Sequence, residues 1–102
     1  MRAEALEQVF VRRGAGVFEL LLVLESASGS RERVTLSAPA QDEGGAMRFL
    51  AAYLRQEGLT IARRARVRRR RGEELVDAPE LLERLRALAA GRETAEGSAR
   101  WA

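Results

Sequence analysis

The stretch "ARRARVRRRRG", residues 62–72, contains seven arginines and no acid, and its reading decides the fold. As a helix it offers no apolar stripe, because arginines fall on every face. At a period of two it separates. Ile61, Ala65 and Val67 share one parity with Arg63, while Arg64, Arg66, Arg68 and Arg70 share the other. The spacing therefore predicts a strand over 59–69. "RRGEE" at 70–74 then turns the chain, and "ELVDA" at 74–78 makes a short return strand.

Working outward, residues 8–13, "QVFVRR", are β-branched and aromatic and read as a strand. "GAG" at 14–16 is a turn signal, and 17–26, "VFELLLVLES", follows it. Phe18, Leu20, Leu22 and Leu24 lie on one face of that segment; Val17, Leu21 and Val23 lie on the other, interrupted by Glu19. Apolar residues on both faces place a strand inside a sheet. At 31–38, "RERVTLSA", Val34 and Leu36 alternate with Arg33 and Thr35, and "ASGS" makes this strand a hairpin partner of the one before it.

The period then changes to that of a helix. Met47, Leu50, Ala51 and Leu54 fall at helical spacing in 43–57, with Asp42 as N-cap and Gly58 as the left-handed stop. "DAPELLERLRALAAG" predicts a second helix, with Asp77 as N-cap, Pro79 in the first turn, Glu80 at N3 and Gly91 closing it. Leu81, Leu82, Leu85, Leu88 and Ala89 form its apolar stripe. The expected fold is α+β: a single sheet in β-β-β-α-β-(β)-α order, with both helices packed on one face. Residues 1–90 form one domain, and 91–102, with the only tryptophan at Trp101, form a polar, flexible tail. The expected core comprises residues 9, 18, 20, 22, 24, 34 and 36, with Met47, Leu50, Leu54, Ile61, Val67, Leu81, Leu85 and Leu88.

Composition narrows the chemistry. There is no cysteine and no histidine in the 102 residues, which removes thiol chemistry, disulfides and the commonest metal ligand. No metal or cofactor is expected. No apolar run approaches the ~20 residues of a membrane span, and "MRAEALEQVF" lacks the apolar stretch of a signal peptide, so the expected compartment is the cytoplasm. All 18 basic residues are arginine, a bias expected of a GC-rich bacterial genome. Seven of them lie in 62–72, leaving eleven arginines against fifteen acids elsewhere. The basic character is therefore local.

The β-β-β-α-β opening is similar, in order alone, to that of ribonuclease H-like domains. Those enzymes hold metal ions with carboxylates at fixed strand ends. Here the first strand ends in Arg12 and Arg13 and the fourth in arginines, so the enzyme reading is rejected. Glu19, on an apolar strand, reads as edge-facing or salt-bridged, and Glu73 and Glu74 as partners of the preceding arginines. "GAG" and "EGG" have neither the spacing nor the lysine of a phosphate-binding loop.

Arg63, Arg64, Arg66, Arg68, Arg69, Arg70 and Arg71 are the candidate binding residues. On a strand, Arg64, Arg66, Arg68 and Arg70 make a row roughly 20 Å long. Guanidinium groups bind phosphate bidentately, so the row suits a nucleic-acid backbone. No aromatic residue interleaves it, and no groove-reading motif is present, so the contact is expected to be largely independent of base sequence. The competing readings are an acidic protein partner, an isologous homodimer or complex subunit in which Glu80 and Glu83 supply the opposite charge, protection of a strand edge, and an anionic membrane surface. A sheet face carrying Val17, Leu21 and Val23 opposite the helices favours a homodimer or complex subunit.

Overall fold

In the computed structural model, which describes residues 3–91, the arginine stretch is an interior strand of a five-stranded sheet. The elements are β1 (Ala3–Arg13), β2 (Phe18–Ser26), β3 (Arg31–Ala38), α1 (Glu43–Glu57), β4 (Thr60–Arg71), β5 (Glu74–Asp77) and α2 (Pro79–Ala89). The sheet order is β3-β2-β1-β4-β5. β1, β2 and β3 form an antiparallel meander, β4 runs parallel to β1, and β5 returns antiparallel to β4. Parallel neighbours need a long crossover, and α1 supplies it, carrying the chain from β3 at one edge to β4. The expected α+β architecture is the one observed.

The sheet has one covered and one open face. Leu6, Val9 and Val11 of β1, with Phe18, Leu20, Leu22 and Leu24 of β2, are buried beneath the helices. Met47, Leu50 and Leu54 of α1 and Leu81, Leu85 and Leu88 of α2 pack onto them. β4 joins through Val67, which lies opposite Val9. Of the expected core, Val34, Leu36 and Ile61 are only partly buried, at its margin. Leu6 and Ala38 are fully buried and lay outside that expectation.

α1 is bounded as its sequence implies. The Asp42 carboxylate accepts from the Gly45 N–H at 2.8 Å. Gly58 takes φ 69°, and the Leu59 N–H donates to the Leu54 carbonyl at 2.8 Å, closing the helix. α2 starts differently from the expectation. Asp77 is the last residue of β5, opposite Arg68, and its carboxylate is held by Arg66. Ala78 is the N-cap, with no side-chain hydrogen bond, and Pro79 begins the helix. An ion pair outcompeted the cap.

β1 begins at Ala3, well before residue 8. "AEALEQ" does not alternate cleanly because the strand is bulged. Between the pairs Leu6–Ile61 and Gln8–Arg66, β1 has a single residue, Glu7, and β4 has four, 62–65. β4 bows outward there. The Arg86 guanidinium of α2 donates to the freed carbonyls of Ala62 at 3.2 Å and Arg63 at 3.1 Å. Val17 falls outside β2, in the turn where the Gly14 N–H donates to its carbonyl at 2.8 Å. Among the described residues no helix is long and apolar enough to cross a membrane. The expected tail beyond Gly91, with Trp101, lies outside the described residues.

Candidate functional site

The open face of the sheet is ordered by strand register. One row across it runs Thr35, Leu21, Phe10, Arg68 and Asp77, and the next runs Arg33, Val23, Gln8 and Arg66. Arg12 lies opposite Glu19, and Arg70 opposite Leu75. A groove of about 820 Å³ lies on this face, reaching from Arg33 and Thr35 of β3 to Arg70 of β4 and Leu75 of β5. Its floor includes Phe10, Leu21, Val23 and Leu75, and its rims carry Arg12, Arg31, Arg33 and Arg70.

The long polar side chains cover much of the apolar floor. Val23 is 9% exposed and Leu21 is half-buried. The broad apolar patch expected from Val17, Leu21 and Val23 is therefore a narrow strip between arginines. Leu75, at 45% exposure on the edge strand β5, is the more accessible apolar group of this face; Val76, at 36%, lies opposite Arg69 on the helix side.

The arginines divide into those engaged internally and those that are not. Arg12 pairs with Glu19 at 2.7 Å, and Arg31 with Glu7 at 2.9 Å. Arg66 donates to both Asp77 oxygens, at 3.0 and 3.2 Å, and Arg68 stands 3.7 Å from the same carboxylate. One acid thus serves two guanidinium groups. Arg33, Arg63, Arg64, Arg70 and Arg71 have no ion pair among the described residues. Glu73 and Glu74, expected to pair with the arginines, likewise have none; Asp77, Glu43 and Glu80 take that role.

Arg69 departs furthest from its expected place in the binding set. Opposite Val11, it points to the helix side of the sheet. There it donates to both Glu43 oxygens, at 2.8 and 2.9 Å, and to Glu80. Only 16% of its side chain is exposed. Both acids lie in first helical turns, where the helix dipole also favours negative charge. The hydrogen bonds it donates to Glu43 and Glu80 push the Arg69 pKa up, and Arg69 in turn holds the Glu80 carboxyl below its ordinary value. Glu80 is therefore committed within the chain, although the dimer expectation had offered it to a partner.

A second charged cluster lies at the bulge. The hydrogen bond from Arg31 lowers the Glu7 pKa, and the hydrogen bond to Glu7 raises that of Glu25. Beside it, Arg64 and Arg66 line a small cleft with Glu7, Gln8 and Ala62.

Sequence reading missed the residues that other strands bring to the row. Along β4 no aromatic interleaves the arginines, but β1 sets Phe10 directly beside Arg68, whose guanidinium carbon lies 5.6 Å from the ring centroid. The Arg68 Nε is buried and has no hydrogen-bond partner among the described residues. The available signal was parity: residues 8, 10 and 12 face the same way as 66, 68 and 70 once β1 and β4 are taken as neighbours. No three histidine, cysteine or acidic side chains among the described residues cluster as a metal site requires. No protein-family model matches the chain, and searches of curated proteins and of solved structures return no significant match.

Proposed function

We propose that the chain is a non-enzymatic binding protein whose open sheet face holds a nucleic-acid phosphate backbone, without strong sequence preference. The observation that carries this reading is the imbalance of charge on that face. Arg33, Arg64 and Arg70 have no ion-pair partner among the described residues, and Arg66 and Arg68 share a single carboxylate. Guanidinium groups on adjacent strands match the repeating charge of a phosphodiester chain. The ion pairs already present are exposed and weak, so they yield readily to phosphate. A cytoplasmic location goes with this reading.

The test is a salt series of binding to random-sequence DNA and RNA. Four phosphate contacts from Arg64, Arg66, Arg68 and Arg70 give log K against log salt a slope of about −3.6 on duplex DNA, from about −0.9 per contact. A quadruple substitution of these arginines to serine removes most of that slope and still folds, because the substituted side chains lie away from the core. An absence of binding at low salt overturns the reading.

A second reading, an acidic protein partner or a second copy of the chain, is favoured by the exposure of Leu75 and Val76 on β5. In that case the quadruple variant loses self-association or partner binding, and neither protein binds nucleic acid.

A further inference from the structure

We infer that the groove on the open face takes a single-stranded nucleic acid, with a base stacked on the Arg68–Phe10 pair and phosphates on the arginine rims. The inference rests on the nucleic-acid reading above and specifies which form of the polymer the site takes. Three observations support it.

The first is the cross-section of the groove. From β3 to β4 is three strand spacings, roughly 14 Å. Arg33 stands on one side and Arg70 on the other, both without ion-pair partners among the described residues, with Phe10 and Leu21 between them. A single strand can lay a base on that floor and its phosphates on the rims. A duplex keeps its bases paired and inside, so it touches the rims alone and leaves the apolar strip unused.

The second is the platform itself. The Arg68 guanidinium lies over the Phe10 ring, and its Nε is buried without a hydrogen-bond partner among the described residues. The group stands 3.7 Å from Asp77 and keeps a quarter of its side chain exposed, which leaves a cationic surface accessible beside the aromatic one. Bases stack on both kinds of surface, regardless of sequence, because every base has a π-face.

The third is charge. A second copy docked face to face would set arginine rim against arginine rim. Of the acids on this face, Glu19 is engaged by Arg12, Glu7 by Arg31 and Asp77 by Arg66, while Glu25 shares a hydrogen bond with Glu7. A polyanion with apolar planar groups fits the face better than the chain fits itself.

The experiment uses the full chain at low salt and compares a short single-stranded oligonucleotide carrying one 2-aminopurine with the matching duplex, by anisotropy and by fluorescence quenching. The single strand is expected to bind more tightly than the duplex, with its 2-aminopurine quenched. Phe10→Leu is expected to weaken single-strand binding about tenfold, the worth of one stacked base, and to leave duplex binding unchanged. Phe10→Tyr should bind as the wild type does. Arg68→Lys keeps the charge, loses the plane, and should lose the quenching. If Phe10→Leu fails to fold, the Arg68→Lys result decides.

Equal or tighter duplex binding overturns the inference and leaves the backbone reading standing. So does undiminished, fully quenched single-strand binding by Phe10→Leu or by Arg68→Lys. If neither nucleic acid binds, the underlying reading falls with it. Self-association under those conditions then identifies a second copy as the occupant.

Discussion

Two neighbouring arginines, Arg69 and Arg70, have identical chemistry and opposite roles. Arg69 faces the helices and joins the first turns of α1 and α2 through Glu43 and Glu80; Arg70 faces the open side and has no ion-pair partner among the described residues. Arg69→Ala removes charge-assisted hydrogen bonds in a largely covered setting, and urea denaturation should show a loss of about 2 kcal/mol. Arg70→Ala should change stability by no more than about 0.5 kcal/mol, and its effect should fall on ligand binding. The Arg69 cluster also carries a pH signature. Because Arg69 holds the Glu80 carboxyl below its ordinary value of 4.5, the stabilisation is complete above that value and is lost as pH falls through the folded one. Acid titration of thermal stability should show this loss in the wild type and a shallower acid limb in Arg69→Ala. The direction of Arg69 was partly legible from the start. It shares parity with Val67, whose inward position the sequence suggested. Its partners were not legible, since Glu43 and Glu80 lie on different elements and reach it only after both helices dock.

At the level of elements, signals confined to one segment were read correctly. α1 has the expected bounds because its cap, stripe and stop are all local. Asp42→Ala should destabilise by about 1 kcal/mol, the typical worth of an N-cap. Gly58→Ala, at φ 69°, should cost about 1 kcal/mol, since a Cβ there is strained whatever the surrounding space. Signals that depend on another strand were misread. The start of β1 was hidden by the bulge at Glu7, which breaks alternation, and the α2 cap was lost to the pull of Arg66 on Asp77. β4 was recognised by its alternation, but its regular row of four arginines was not fully realised. The bulge interrupts it at 62–65, and the carbonyls released there are held by Arg86. Those carbonyls lie beyond the reach of β5, which covers only residues 68–71. Arg86→Leu should therefore expose a strand edge, and light scattering should report aggregation in the variant and none in the wild type.

For the whole molecule, the separation of faces is the organising fact. The covered face is continuous from β3 to α2, and Leu22 at its centre is fully buried. Leu22→Asp should abolish folding, with circular dichroism showing an unstructured chain, because an unpaired carboxylate there has no hydrogen-bond partner. The candidate site was half legible: the arginines came from one strand, but Phe10, Arg12, Arg31 and Arg33 arrive from two others through long-range register. The position of β4 has a kinetic consequence as well. The strand with the most like charge is an interior one, and it closes a parallel pair with β1 across more than fifty residues of chain. Seven guanidinium groups in the unfolded chain repel one another and hold that segment extended. The strand must then slot beside β1 before α2 can seat on it, a late and non-local event. Counter-ions relieve the repulsion over roughly 10 Å at moderate salt. Refolding should thus accelerate with ionic strength, the opposite of the dependence expected for ligand binding, and stopped-flow measurements across a salt series would separate the two.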